Sequence, residues 1–464
     1  MWFDMTAGSP NRRQVVAGIM ASAALPRAVA AQAANPDVIV IGAGSAGIAA
    51  ARRVIASGKT VQVIEAEGRI GGRAYTESET FGVPYDHGCA WLQGPGDLPH
   101  VQAARDLGFT LQDHSNPRDV FYVGDRRASY SEQSQYDRAY ARLYQALDTR
   151  RDVSAASLAQ ATQPMDGVAH TWTGPMDFGV DLDALSTADF NVYPEYDINY
   201  LVREGLGSLV AYLGRSLPVS LNTSATAVDW SGKGVQVTTP RGTLRAQAVI
   251  VTVSTGVLGS GAIKFTPELP STKQQAISDV PMGLLTRIGL QFDGARFGLS
   301  PNDLLTYAVP NTLPAEACYF LAFPTGHDIA VGFVGGQFGW DLSRAGEAAA
   351  VDFALGEFIK MMGSNARKHF VKGHMSGWAD NPLTLGAYSA ARPGRASART
   401  VLAEPLGDRV FFAGEAVAGP YIALMSGAHL SGDSVARAVV ETLGGAGDCT
   451  SCDARKQNLK KVQP

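Results

Sequence analysis

Gly42, Gly44 and Gly47 fall in the run Asp37-Val-Ile-Val-Ile-Gly-Ala-Gly-Ser-Ala-Gly-Ile-Ala-Ala-Ala-Arg52, and an acid, Glu65, closes the next apolar run, Val61-Gln-Val-Ile-Glu65. Glycines at this spacing between a strand and a helix build a dinucleotide site. The first turns the chain sharply, the second lets the backbone approach a pyrophosphate, and the third lets the helix pack close to the sheet. Ser45 and Ala46 open that helix, whose free N–H groups and positive dipole end face the phosphates. Glu65, followed by Ala66, stands where a carboxylate accepts hydrogen bonds from the adenosine ribose. Just beyond, Arg69-Ile-Gly-Gly-Arg73 sets Gly71 and Gly72 between two guanidinium groups, a cradle for a second face of the pyrophosphate that nicotinamide domains do not usually carry.

The elements around these residues predict an α/β chain, with a Rossmann-type domain interleaved with an α+β domain. The first helix should end near Gly58, a plausible C-terminal stop. In Tyr85-Asp-His-Gly-Cys-Ala-Trp-Leu-Gln-Gly94, small residues surround a large aromatic. The chain returns to the nucleotide domain through a helical segment, 201–213, strand-like segments at 219–230 and 234–239, and the continuous apolar run 246–254. Pro-Glu-Leu-Pro at 267–270 marks the crossing into a second domain that holds Thr286 to Phe292, the alternating stretch from Ile329, and Tyr388. A last return runs from Asp408 to Glu415 and into a helix from Met425. The expected parts are 1–34 as a leader, 35–94, 203–262 and 400–445 as the nucleotide domain, 95–202 and 263–399 as the substrate domain, and 446–464 as a polar tail.

The order of these motifs across nearly the whole chain resembles the flavin amine oxidase superfamily. The resemblance implies a GR2-like FAD-binding domain with Gly88, Cys89, Ala90 and Trp91 running along the flavin. It implies that Val228 contacts the adenine through its backbone, that Glu415, after Gly414, bonds the ribityl hydroxyls, and that the helix from Met425 to Ala428 points N–H groups at the flavin edge where negative charge develops. It also implies that Trp378 and Tyr388 are walls of the substrate site. Ala387 stands where monoamine oxidases bind their flavin through a Cys, so the FAD should be non-covalent. Two departures bear on chemistry. Leu424 replaces the second aromatic wall, which loosens size selection, and Arg287 replaces a lysine that holds a water against flavin N5. An arginine keeps the charge without positioning the same water, so reoxidation by oxygen should be slow.

Composition narrows the partners. A net charge of −4 with no dominant basic block argues against nucleic acid, and no run reaches the length of a membrane span. The eight histidines show no metal-ligand spacing, so no metal is expected, and four cysteines make no disulfide framework. Cys449 and Cys452 have redox-motif spacing but sit in the tail. Arg12-Arg13, the apolar run to Leu25 and Ala28-Val-Ala30 read as a twin-arginine export signal, which implies a periplasmic or secreted protein. From Asp152 to Val202 there is no Lys or Arg while acids accumulate. That one-sided charge is expected first as a solvated face and alternatively as a field that attracts a cation, with Tyr193, Tyr196 and Tyr200 at its end suiting amine access.

The expected activity is FAD-dependent amine oxidation: hydride passes from the amine α-carbon to flavin N5, and the imine hydrolyses to an aldehyde or ketone plus an amine. Arg287, Tyr388, Trp378 and Leu424 would shape the reacting centre. The partners are a small amine and either oxygen or a periplasmic acceptor such as a cytochrome c. One alternative is an L-amino-acid oxidase, with Arg287 or Arg392 taking the carboxylate role because Trp91 occupies the usual arginine place. The other is a flavin-binding protein without turnover.

Overall fold

The structure is a computed structural model that describes residues 35–192 and 196–444. The leader, the tail with Cys449 and Cys452, and Tyr193 with Glu195 lie outside the described residues.

Five parallel strands form the nucleotide sheet, in the order Val219–Ser220, Val61–Ile64, Val38–Ile41, Ala248–Val251, Val410–Phe412. Their β-branched runs are covered on both faces, as an all-parallel sheet requires. Val38 and Val40 pack on one side with Ala46, Ala50 and Val54 of the helix Ser45–Ala56 and with Ala436 and Val439 of the helix Met425–Thr442. Ile39 and Ile41 pack on the other side against a four-stranded sheet that contributes Val228, Val235 and Val237. In that sheet Lys264–Thr266 pairs parallel with Ala227–Asp229, so the nucleotide half continues past the expected break at residue 262.

The second half is built on a seven-stranded, mainly antiparallel sheet, in the order Phe370–Met375, Leu285–Phe292, Ile329–Gly335, Tyr319–Ala322, Asp303–Tyr307, Asp119–Val123, Arg126–Arg127. Ile288, Leu290, Ala330 and Val334 turn to the helix Glu347–Met362, while Val331 and Phe333 turn the other way. Arg287 pairs in register with Phe333, which sets both on the same face. A smaller sheet pairs Trp91–Gly94 and Leu111–Asp113 with Ile198–Val202 and so straddles the expected break at residue 94.

The acid-rich segment is not a uniformly solvated face. Asp166 is buried against Arg142 at 2.5 Å, and Asp189 is buried against Arg399 at 2.7 Å. These acids serve as anchors because basic partners from other segments reach them. Among the described residues, no helix is long and apolar enough to cross a membrane and no His/Cys/Asp/Glu group is placed to hold a metal ion.

Candidate functional site

One cavity of about 850 Å³ runs from the glycine turns of the nucleotide sheet to the face of the second sheet. Gly42, Gly44, Ser45, Ala46, Gly71, Gly72 and Arg73 line one end. Gly88, Cys89, Ala90, Trp91, Trp378, Ala387, Gly414, Glu415, Leu424, Met425 and Ala428 also line it, as do Arg287 and Tyr388. Four of the residues singled out from the sequence do not. Gly47 serves packing, since a Cβ there would fall 1.9 Å from the Gly42 carbonyl oxygen. Val228 is fully buried in the core between the two sheets of the nucleotide half, and Glu65 and half-buried Ala66 lie behind the glycine turn.

Glu65 braces that turn. Its carboxylate accepts from the Ala43 N–H at 2.7 Å and the Glu67 N–H at 2.8 Å. Burial raises its pKa, and the two N–H groups oppose that shift. At the opposite corner Glu415 accepts from Arg73 Nη1 at 2.9 Å and from the Ser389 hydroxyl at 2.7 Å. Burial alone would raise its pKa, but the Arg73 and Arg399 charges and Ser389 outweigh it and keep the group ionised. Arg399 donates to Ser389 Oγ at 2.9 Å and grips both Asp189 oxygens, so the Glu415 corner is tied to the helix Thr187–Val192, whose Phe190 and Asn191 line the cavity.

The helix Met425–Thr442 begins at Leu424 with no side-chain cap, which leaves its first N–H groups to the cavity. With the glycine turns and Arg73, this donor set fits a dinucleotide: backbone N–H groups and a guanidinium for the pyrophosphate, and a helix N-terminus for a ring that gains negative charge. Gly88 cannot carry a side chain, since its Cβ would meet the Arg73 carbonyl oxygen at 1.8 Å and the Trp378 ring at 3.1 Å. Cys89 is a free thiol whose pKa burial pushes up to about 12, so it stays protonated.

At the end of the cavity against the second sheet, Trp378 Nε1 donates to the His87 carbonyl at 2.8 Å and Arg287 Nη1 donates to the Gly88 carbonyl at 2.6 Å. Arg287 Nε is buried with no partner among the described residues. The Tyr388 hydroxyl donates to the Met176 carbonyl at 3.1 Å, and burial drives its pKa far up, so it remains a neutral phenol. Arg392 is exposed and does not line the cavity, so it cannot serve as a carboxylate anchor there.

Asp177 was not singled out from the sequence, nor were Tyr144, Phe190 and Asn191. All four line the cavity. Asp177 sits in the π-helical turn Trp172–Phe178, which contains Pro175. The available signal was an acid flanked by Met176 and Phe178 inside a base-free stretch, which does not say which acid turns inward.

A profile of the family described as flavin containing amine oxidoreductase matches residues 45–191 and 181–440. The chain is 30% identical to polyamine oxidase 4 of Oryza sativa subsp. japonica over 447 residues, covering 87% of this chain and 88% of that protein. It is 31% identical to probable polyamine oxidase 4 of Arabidopsis thaliana over 461 residues, covering 88% and 89%. Wild-type putrescine oxidase bound to putrescine superposes with a TM-score of 0.72 at 19% identity, over 88% of this chain and 99% of that one, a likeness of fold.

Proposed function

Because the chain belongs to the flavin-containing amine oxidoreductase family, we propose that it oxidises an amine at its α-carbon, giving an imine that hydrolyses to a carbonyl compound and an amine. FAD, bound non-covalently, supplies the hydride acceptor. The supporting observation is the single cavity that joins the dinucleotide-type glycine turns to Trp378, Tyr388 and Arg287.

The chain's own residues orient rather than catalyse by acid or base. Tyr388 is held by the Met176 carbonyl and Trp378 by the His87 carbonyl, so two aromatic surfaces are fixed before substrate arrives. With its pKa raised so far Tyr388 stays a protonated phenol and offers no base, so the nitrogen that is oxidised binds in its neutral form. Leu424 lines the same cavity with an aliphatic side chain, smaller than an aromatic ring at that place would be.

Arg287 commits a guanidinium N–H to the Gly88 carbonyl. That supports slow reaction with oxygen and an electron acceptor that is a redox protein, such as a cytochrome c. The Arg12-Arg13 leader supports export to the periplasm, where such acceptors reside. The L-amino-acid oxidase alternative finds no support among the relatives and is set aside. A panel of amines added anaerobically tests the proposal: bleaching of the bound flavin is expected, and a flavin that no amine reduces would leave only the binding-protein alternative.

A further inference from the structure

Among the described residues, three tryptophans line the cavity, and each gives its indole N–H to a different kind of acceptor. Trp378 uses the His87 carbonyl and Trp172 the Thr306 hydroxyl at 3.1 Å, acceptors that keep their lone pairs at any working pH. Trp91 uses a ring nitrogen, His114 Nδ1, at 3.0 Å. The other ring nitrogen, His114 Nε2, lies 2.9 Å from the Asn302 carbonyl oxygen. An indole N–H can only donate and a carbonyl can only accept, so the two contacts leave His114 one state: neutral, with its proton on Nε2.

The surroundings hold the ring in that arrangement. His114 is 3% exposed. Its N–H donates to the Asn199 carbonyl at 2.8 Å, and its own carbonyl accepts from Asn199 Nδ2 at 3.0 Å. Asn302 is fixed in turn, donating from Nδ2 to Gln112 Oε1 at 3.0 Å and accepting from the Thr325 N–H at 2.7 Å. On the cavity side the Trp91 ring packs on Phe333 with centroids 5.7 Å apart, and the Arg287 guanidinium lies 5.5 Å from the Phe333 centroid. The place of Trp91 therefore bears on the wall that includes Arg287.

We propose that His114 is a positioning residue for this part of the cavity: as the neutral Nε2–H tautomer it holds Trp91 in the wall, and a second proton on the ring releases it. This rests on the amine oxidoreductase reading for what the cavity holds, and adds to it how the site responds to acid. His114 itself lines the cavity, so a proton reaches it from there. Taken up at Nδ1, that proton sets an imidazolium N–H against the indole N–H, two donors with no acceptor between them, while the bond to Asn302 survives. The indole then leaves its position.

The groups that meet His114 from neighbouring segments are Trp91, Asn199 and Asn302, none of them ionisable. Asp303, next to Asn302, is paired with Arg118 at 2.8 Å. Burial disfavours the charged ring, and although the Asn302 carbonyl and the exposed Asp113 favour it, the balance sets the pKa below its usual 6.5. Trp91 should consequently be held at neutral pH and loosened only as the pH falls below 6.5.

The test uses the full flavin-loaded chain with nitrogen-15 in its tryptophans and histidines. The Trp91 indole signal is identified by its loss in Trp91→Phe. At about pH 8 it should lie downfield, as an N–H bonded to an imidazole nitrogen does, with the His114 nitrogens in the Nε2–H pattern. On acidification to about pH 5 it should move upfield together with the His114 signals. His114→Asn keeps an acceptor near Nδ1 and cannot titrate, so its Trp91 signal should stay in one place; His114→Leu should show the acid position throughout. Calorimetric binding of n-octylamine gives a second readout, and the ratio of wild-type to His114→Asn affinity cancels the ionisation of the amine. That ratio should fall by about 3- to 10-fold between neutral and acid pH, the scale of one lost hydrogen bond. A Trp91 signal that ignores the titration of His114, or that moves equally in His114→Asn, would overturn the proposal, as would a ratio that stays constant. If neither n-octylamine nor any other amine binds or bleaches the flavin while the Trp91 signal behaves as expected, the oxidoreductase reading fails and the role of His114 stands.

Discussion

Arg399 and Asp189 face each other through two hydrogen bonds of 2.9 and 2.7 Å, side by side and almost wholly buried. The pair joins two parts of the cavity wall that lie far apart in sequence. Arg399 also holds Ser389, which holds Glu415 in the flavin corner, and Asp189 belongs to the helix that presents Phe190 and Asn191. The Glu415 corner and the Phe190–Asn191 stretch of the cavity wall share one charged strut.

Removing half of that strut should be costly. Arg399→Met leaves Asp189 and Glu415 short of a cation in a buried setting, where the usual cost is about 3–5 kcal/mol. Thermal unfolding should fall accordingly, and the flavin should wash out more readily on gel filtration. A variant that melts with the wild type and retains its flavin would show the strut to be incidental.

Glu65→Ala should also loosen the cofactor, because Ala43 and Glu67 lose their shared acceptor and the glycine turn loses its brace. Hydrogen bonds to a charged group are worth about 1.5–3 kcal/mol each. Flavin dissociation, followed by the recovery of its fluorescence, should be faster than in wild type. In both proteins acid precipitation should release all of the yellow colour, since Ala387 offers no thiol.

Acid should destabilise the fold through a histidine pair. The His100 and His429 rings meet edge to face with centroids 4.6 Å apart, and His100 Nδ1 has no partner among the described residues. Burial lowers His429 from 6.5 to about 4 and pushes His100 well down, so both are neutral when folded. The unfolded chain binds protons near pH 6.5, so it holds more of them between pH 6.5 and 4, and stability is lost as the pH falls through that window. For His429 this amounts to at most ~3 kcal/mol. The urea-unfolding free energy of His429→Gln should show a shallower decline than wild type across that range, and parallel curves would refute the assignment.

Arg287→Lys addresses the acceptor. The lysine variant should raise the rate constant of reduced flavin with oxygen and change amine-driven reduction less, because Arg287 is tied to the Gly88 carbonyl and its planar guanidinium does not place a water as an ammonium group does. Fast reoxidation of wild type in air-saturated buffer, slowed by the substitution, would make Arg287 itself the competent group.

The parts of this site that were legible in the sequence are those written in local spacing. Gly42, Gly71 and Gly72 announce a tight turn because their backbone conformation and close neighbours leave no place for a side chain, and Glu415 follows a short apolar strand as a corner residue should. Side-chain burial shows the limit: that Val228 packs between two sheets depends on the second sheet that covers it, a placement that leaves the expected backbone contact untouched. Asp166, Asp177 and Asp189 show the limit again: one acid-rich stretch yields two structural ion pairs and one solitary carboxylate, and the difference lies in Arg142 and Arg399, which the fold brings from elsewhere. The lone carboxylate could be found only once the cavity was seen.

The most direct test of the account is anaerobic, single-turnover reduction of the bound flavin by an amine substrate and by the same amine deuterated at the α-carbon. The account predicts complete bleaching by one equivalent of amine, one equivalent of carbonyl product after hydrolysis, and a markedly slower reaction with the deuterated substrate. A flavin that stays oxidised with every amine, or bleaches equally fast with both isotopologues, would contradict it.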